Sequence, residues 1–509
     1  MFVTKNETIV FKISKKLNST AKNKKYEAIA QIDKKTFTVV LYIPKNHQEL
    51  DFNHYYQSDV FITKSKSPKY DFQFDYAQYL KRKNIEYQCY INNGISSAKR
   101  NDLSLNEKFS QKRLEVLQYV DETKMSSKTK EFLKGIVLAD RTETDSQTLQ
   151  DFNRSGLVHF LAISGTHIVV VFGLFYFLLI KFLPLKFRKY AIVSSLIFIW
   201  MFAAFIGFGN SVVRSCIMLS IYYGYVLLQR KPDLLHSLAL SAFIILIFDT
   251  QQIFDVGFQL SFLAVLGIFW LNEPILKYFP KQDNRFKKLI FNTISISISA
   301  QLATLPLVLF YFHQFSFISI IANLFIVPFS EIIIVFSFLM TILIALKFNF
   351  SFIDHIYDFI IQLLLKIIHW FADFDSLFFE NISMNLAEVF SLFLIVYLMK
   401  FIILKFNIKN SARLLMAVFA FFLLRSGFTF YENQKEEILV HEFSKNKVLS
   451  IKKGDKVCFW IQDLSDKDKI EQFIINPYCA SRRLNDIAIK TLPGSVRQVV
   501  YHGKIYQIK

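Results

Sequence analysis

The sequence predicts a polytopic α-helical membrane protein with a β-rich domain ahead of the helices and a small α+β domain behind them. Three observations predict it. From Gly156 to about Phe428 the chain runs mostly apolar in blocks of span length. With 57 phenylalanines in 509 residues, it holds more apolar surface than a soluble core uses. Residues 1–100 instead alternate polar and apolar with period two, the pattern of half-buried strands. Residues 429–509 turn polar again, with hairpin patterning.

The N-terminal region carries five such runs: Thr8–Ile13, Tyr26–Ile32, Thr36–Ile43, Tyr56–Thr63 and Glu86–Ile91. A short helix lies between the last two, in FDYAQYLKRKNI, Phe74 to Ile85. Five short strands suit an OB-like β-barrel over residues 1–100, an architecture that often binds single-stranded nucleic acid. The region has 18 Lys and Arg against 9 Asp and Glu, about half of the chain's net charge of +19. Such an excess calls for anionic company, either lipid headgroups or a polyanion. FVTKNETIVFKISKK, directly after Met1, lacks the apolar core of a secretory signal. Residues 101–150 are polar, with helical spacing at Leu114, Leu117 and Val120 and again at Phe132, Ile136 and Ala139. They read as a helical connector.

Residues 151–428 form the transmembrane region, with nine or ten membrane segments near 157–180, 190–208, 212–229, 234–249, 256–273, 289–312, 318–346, 352–372, 386–404 and 411–428. A hydrocarbon core of ~30 Å needs about 20 helical residues. Segment 234–249 is short, and 318–346 is long enough for a re-entrant piece before a full span, with Pro328 at the break. Basic loops follow the first, third and fifth spans, whereas Gly209–Ser211 and Asp249–Asp255 hold no Lys or Arg. The positive-inside rule makes the basic loops cytoplasmic and places the N-terminal domain outside. Segment 352–372 gathers Asp354, Asp358, Gln362, Lys366 and His369, with Asp373 just beyond, on one stripe. Such a helix lies in the headgroup plane or turns its stripe to an aqueous lumen.

In the small α+β domain, EEILVHEF, NKVLSIKKGDKVCFWI and VRQVVYHGKIYQIK read as hairpins with turns at Gly454–Asp455 and His502–Gly503. Ser465 to Ile475 reads as a helix. The cysteines Cys89, Cys216, Cys458 and Cys479 are scattered. Cys458 and Cys479 would be free to pair in an exported domain, and buried free thiols are the plainer reading. His441 and His502 are isolated, so neither a metal nor a cofactor is expected. No P-loop is present, so energy for any transport must come from a partner.

The chain is organised around Asp151 to Phe175, DFNRSGLVHFLAISGTHIVVVFGLF. It is apolar enough to enter a bilayer yet carries His159, Ser164, Gly165 and His167. Polar groups at membrane depth are costly and face a cavity, a partner helix or a pathway. Gly165 also weakens the helix, so the stretch reads as a broken or re-entrant helix lining a route. The competing reading is an ordinary span whose small residues pack against neighbours. NSVVRS adds Asn210 and Arg214, DVGFQLSF adds Asp255, Gln259 and Ser261, and AQLATLPL adds Gln301. Each alone suits interhelical packing, whereas together they suit a polar conduit. Ser164 and His167, at i and i+3, also permit an intramembrane hydrolase if an oxyanion hole accompanies them. A small-solute transporter would show repeats of hydropathy, and none is seen.

GLVHFLAISGTH, NSVVRS, DVGFQLSF and AQLATLPL, with Asn323 and Pro328, resemble in that order the competence region of the ComEC family of DNA-uptake proteins. FDYAQYLKRKNI resembles the end of that family's OB-like domain. The resemblance covers about residues 70–330. It implies a channel in the bacterial inner (plasma) membrane that carries single-stranded DNA inward during natural transformation. It implies His159, Ser164, Gly165, His167, Arg214, Asp255, Gln259, Ser261 and Gln301 as the translocation pathway. It also implies an external DNA receptor and a cytoplasmic helicase-like ATPase as partners, and it allows a homo-oligomer. Two departures stand out. Many members begin with hydrophobic helices, so an upstream start or another export route is expected for residues 1–150. Many also end in a metallo-β-lactamase-like domain, whereas residues 429–509 are short and lack an HxHxDH motif. A nuclease activity is therefore not expected, and the chain is read as no enzyme apart from the open alternative of intramembrane hydrolysis.

Overall fold

The computed structural model describes residues 5–507 apart from 21, 34, 92, 93, 349, 444, 445, 464, 465, 494, 495, 497, 502 and 503. The chain forms two compact units. One holds Met1–Ser67, Asp75–Phe269 and Ser316–Leu377, and the other Pro68–Phe74, Trp270–Phe315 and Phe378–Lys509.

In the first unit the alternating runs become β1 (Lys5–Leu17), β2 (Asn23–Ile32), β3 (Lys35–Pro44), β4 (His54–Thr63) and β5 (Tyr87–Ile91). Helix α1 (Tyr76–Arg82) precedes β5, and a sixth strand, β6 (Ser96–Lys99), follows it. β1 pairs with β2, β2 with β3, β3 with β5 in parallel, β5 with β4, and β4 again with β1. One strand serves two neighbours because β1 is long and its register shifts between Ile13 and Lys15, which bends it. Every second side chain points into the core, among them Ile9, Phe11, Ile13, Ala28, Leu41, Ile43, Val60, Ile62 and Cys89.

The connector folds as α2 (Leu105–Glu122), α3 (Ser127–Leu138) and α4 (Ser146–Arg154). A reciprocal Ser104–Glu107 cap starts α2. Val116, Leu117, Val120, Phe132, Leu133 and Ile136 bury the α2–α3 pair against part of the apolar helices, within residues 157–172, 199–216, 318–344 and 357–371. Those helices are α5 (Val158–Leu161), α6 (Gly165–Phe182), α7 (Arg188–Phe205), α8 (Asn210–Leu227), α9 (Leu234–Phe248), α10 (Val256–Leu276), α11 (Arg285–Phe312), α12 (Ser319–Ala345), α13 (Ser351–Ala372), α14 (Leu386–Leu404) and α15 (Ile408–Asn433). Seven of them, α6, α7, α10, α11, α12, α14 and α15, are long and apolar enough to cross a membrane. The protein is a multi-pass membrane protein. Asn210, Arg214 and several serines dilute α8, α9 has 15 residues, and α13 carries its charged stripe.

Two expectations change. The break at Pro328 is absent, for α12 runs unbroken from Ser319 to Ala345 with the proline inside. Packing against α2, α3 and α6 holds it there, as neighbouring helices do for prolines at membrane depth. The stripe of α13 meets protein. Asp358 Oδ1 accepts Ser126 N–H at 3.0 Å and Ser126 Oγ–H at 2.6 Å, and His369 Nδ1 lies 2.9 Å from Asp151 Oδ2. The stripe thus faces the start of α3 and the body of α4, while Phe352, Phe359, Leu363 and Trp370 are exposed.

In the second unit, strands Glu437–Phe443, Asn446–Lys453 and Lys456–Ile461 run antiparallel. A helical crossover over residues 467–482 brings Asp486–Thr491 parallel to Lys456–Ile461. The crossover extends past the expected end at Ile475. The pair Gln498–Tyr501 and Lys504–Gln507 forms, and the turn expected at His502–Gly503 lies outside the described residues. Residues 68–74 belong to this unit. Tyr70 Oη–H donates to Val440 O at 2.9 Å, and Arg482 grips Asp71 through both Nη atoms at 3.0 and 2.9 Å. Buried Lys452 donates to Glu432 O and Lys435 O at the end of α15, where a cation complements the helix dipole. All four cysteines are free thiols, Cys458 and Cys479 included.

Candidate functional site

Two residues past the end of α4, Gly156 has a φ of +73°, which is open to glycine and strained for other residues. A Cβ there would clash with Ser319 Cβ, so glycine lets the turn after α4 rest on the start of α12. Beside it, Ser316 Oγ–H donates to Arg154 O. One turn of helix follows as α5. The backbone is then extended through Ala162 and Ser164, and α6 begins at Gly165. The expected break in the first apolar segment is present, and the spanning helix starts at residue 165 instead of 157.

The new helix start is capped from within. Ser164 N–H donates to His167 Nδ1 at 3.1 Å, so the imidazole reaches back as a glutamate does in a capping box. Ser164 Oγ lies 3.0 Å from the same nitrogen. That distance suits an activated serine, but Nδ1 already receives the backbone N–H. Nε2 has no orienting partner among the described residues. The geometry is that of a cap.

The first turns of α8 join this start to a second one. A Cβ on Gly165 would come within 3.2 Å of Ser215 Oγ. The preceding residue, Arg214, places Nη1 3.4 Å from Asp255 Oδ1. Asp255 also accepts Phe258 N–H at 2.8 Å, which caps α10. Gly257 lacks the Cβ that would stand 3.2 Å from Arg214 Nη2. Gly165 and Asp255 thus bring the starts of α6 and α10 each against the first turns of α8. Two buried donors there, His167 Nε2 and Arg214 Nε, have no hydrogen-bond partner among the described residues. Buried N–H groups ordinarily find an acceptor, so each calls for an explanation.

Of the nine sequence candidates, Ser164, Gly165, His167, Arg214 and Asp255 come together here. His159 is exposed on α5. Gln259 Nε2–H donates to Ile253 O at 2.8 Å and Ser261 Oγ–H to Phe258 O at 3.1 Å, so both bond to local backbone carbonyls. Gln301 is half-buried on α11, in the other unit. Ser215 and Gly257 escaped sequence reasoning. They sit inside NSVVRS and DVGFQLSF, but only the packed helices show that each clears room for a partner.

Residues 136–406 match the family described as Competence protein. The chain belongs to that family. The match holds all nine candidates and the meeting of helix starts. Over 260 residues the competence-family chain is 28% identical to ComE operon protein 3 of Bacillus subtilis (strain 168), covering 50% of this chain and 31% of that one. Over 233 residues it is 27% identical to an uncharacterized protein of Aquifex aeolicus (strain VF5), covering 46% and 51%. The chain thus spans about a third and about half of the lengths of these relatives. No solved structure matches it.

Proposed function

We propose that this competence-family protein is the channel through which single-stranded DNA crosses the bacterial inner membrane in natural transformation. The observation that carries this reading is the pair of unmatched buried donors, His167 Nε2 and Arg214 Nε, where helix starts meet inside the family match. A phosphodiester backbone offers acceptor oxygens and negative charge, which such donors and dipole ends favour. The N-terminal sheet supports the same reading. Its pairing order β1-β2-β3-β5-β4-β1, with β3 and β5 parallel, fits an OB-like barrel. Arg82 of α1 stacks 4.8 Å above Phe254 of the 249–255 loop, which holds no Lys or Arg. By the positive-inside rule that loop faces outward and takes the barrel with it. The protein then acts as a conduit without catalysis of its own. An external receptor delivers DNA, and a cytoplasmic ATPase supplies the work.

The test is transformation in a clean deletion strain complemented with Arg214→Ala, Arg214→Lys or the wild-type chain at matched membrane levels. Arg214→Ala should lower transformation at least about ten-fold, the loss of one charge-assisted contact, and Arg214→Lys should restore part of it. Wild-type transformation by Arg214→Ala would remove the basis of this reading.

A further inference from the structure

The strand registers set four residues in one row across the N-terminal sheet. Lys25 of β2 lies opposite Tyr42 of β3, Tyr42 opposite Tyr90 of β5, and Tyr90 opposite Phe61 of β4. Directly opposed residues share a face. Their chain neighbours Tyr26, Leu41, Ile43, Cys89, Ile91, Val60 and Ile62 fill the core, so the row points outward. The rings of Tyr42 and Tyr90 stack, with centroids 4.5 Å apart and planes 14° apart. Lys25 Nζ stands 5.2 Å from the Tyr42 ring centre. Helix α1 extends the row. Tyr76 packs in one cluster with Tyr42 and stacks with Tyr79 at 5.9 Å, and Lys83 Nζ stands 4.6 Å from the Tyr79 ring centre.

Part of this arrangement is packing. Tyr42 and Tyr76 help seat α1 on Val40, with Leu80 and Ile85. Packing does not account for the other end. Phe61 is 37% exposed and makes no ring contact among the described residues, and Tyr90 is half-exposed with Tyr42 on one of its faces. Rings in line, open at the Phe61 end and flanked by lysines on a domain with twice as many cations as anions, match one ligand chemistry. Nucleobases stack on the rings while the phosphates between them meet the ammonium groups.

We propose that Phe61, Tyr90 and Tyr42, flanked by Lys25 and Lys83, form a base-stacking platform for single-stranded nucleic acid. The proposal rests on the DNA-uptake reading and adds the face of the barrel, the contact residues and the kind of contact. Bases lie against Phe61 and the open side of Tyr90, and the strand runs toward α1, where Lys25 and Lys83 neutralise its phosphates.

The experiment uses the intact chain in nanodiscs and two labelled oligonucleotides of equal length, oligothymidylate and its abasic deoxyribose-phosphate counterpart. The wild-type chain should bind oligothymidylate roughly ten-fold more tightly than the abasic strand, the usual effect of stacking. Phe61→Thr with Tyr90→Thr keeps β-branched strand formers in place. That double variant should lose about ten-fold on oligothymidylate and nothing on the abasic strand, while Tyr90→Phe binds as wild type. Lys25→Gln with Lys83→Gln should weaken both strands alike and lower the salt slope by about one per lysine. Cys89, a fully buried neighbour of Tyr90, should stay unreactive to thiol reagents in every variant and so reports an intact barrel. Unchanged oligothymidylate binding by the double Thr variant overturns the platform and leaves the uptake reading standing. Absence of wild-type binding to either strand at low salt overturns the platform together with the DNA-binding role of the N-terminal domain.

Discussion

Acid should loosen the C-terminal domain through one histidine. His441 is fully buried, its Nε2 lies 2.8 Å from Ser450 Oγ, and the rings of Tyr70, Phe72, Tyr478 and Phe459 surround it. Burial pushes its pKa down from 6.5 to about 4; Glu437 opposes this weakly and Lys69 adds to it. The folded imidazole therefore stays neutral where the unfolded one takes up a proton. Its contribution to stability is whole above pH 6.5 and drains away as the pH falls from 6.5 toward 4. One pKa unit corresponds to 1.36 kcal/mol, so the loss amounts to about 3 kcal/mol. The assay is urea unfolding in detergent across this range, followed by Trp460 emission in a chain whose Trp200, Trp270 and Trp370 are replaced by Phe. His441→Gln keeps a hydrogen-bonding side chain without a proton to gain. The parent chain should lose stability more steeply than this variant, by up to about 1.4 kcal/mol per pH unit. Parallel pH profiles for the two chains would refute the argument.

Gly156→Ala should cost about 3 kcal/mol or prevent insertion, since the left-handed backbone and the clash with Ser319 both oppose a Cβ. Adding Ser319→Gly should recover only the part due to the clash, as read by thermal unfolding. Arg483→Met strips buried Glu388 of both Nη contacts, at 3.0 and 2.5 Å, and leaves Arg425 at 3.4 Å. It should destabilise the C-terminal domain by about 3–5 kcal/mol; limited proteolysis of residues 429–509 reports it, and Glu388→Gln in the same chain should soften the loss. Ser164→Gly retains an acceptable N-cap and removes the hydroxyl. Transformation should hold within a few-fold, and complete loss would point back to a nucleophilic serine.

What the sequence shows of this fold depends on how local each cause is. β2 and β4 bury every second residue and were legible from alternation alone, whereas β3 buries Val39, Val40 and Leu41 in succession because Val40 packs under α1. β6 exposes all four side chains and so offers no alternation to read. Asp486–Thr491 is a half-polar edge strand whose parallel partner lies a crossover away. The long apolar helices were legible from hydropathy, but the continuity of α12 through Pro328 depends on its neighbours. The break before α6 was signalled by Ser164, Gly165 and His167 standing together in an apolar stretch. That Gly165 opens space toward Ser215, or that Glu388 meets Arg483 95 positions away, belongs to packing that no window of sequence contains.

The structure also divides the polar residues of the apolar region by what already satisfies them. Gln259 and Ser261 bond to nearby backbone, and Asp255 serves both as a cap and as the partner of Arg214. Helix architecture alone accounts for these groups, so their presence is no argument for transport. His167 and Arg214 differ. Each spends part of its side chain on architecture, Nδ1 on the α6 cap and Nη1 on Asp255, and each keeps a further buried donor without a partner among the described residues. A purely structural role would be served as well by groups without that donor, a glutamate in the cap and a lysine on the carboxylate. The case for a conduit therefore narrows to these two donors. If His167→Glu and Arg214→Lys together transform as wild type, architecture is their whole function and the proposed conduit loses its basis.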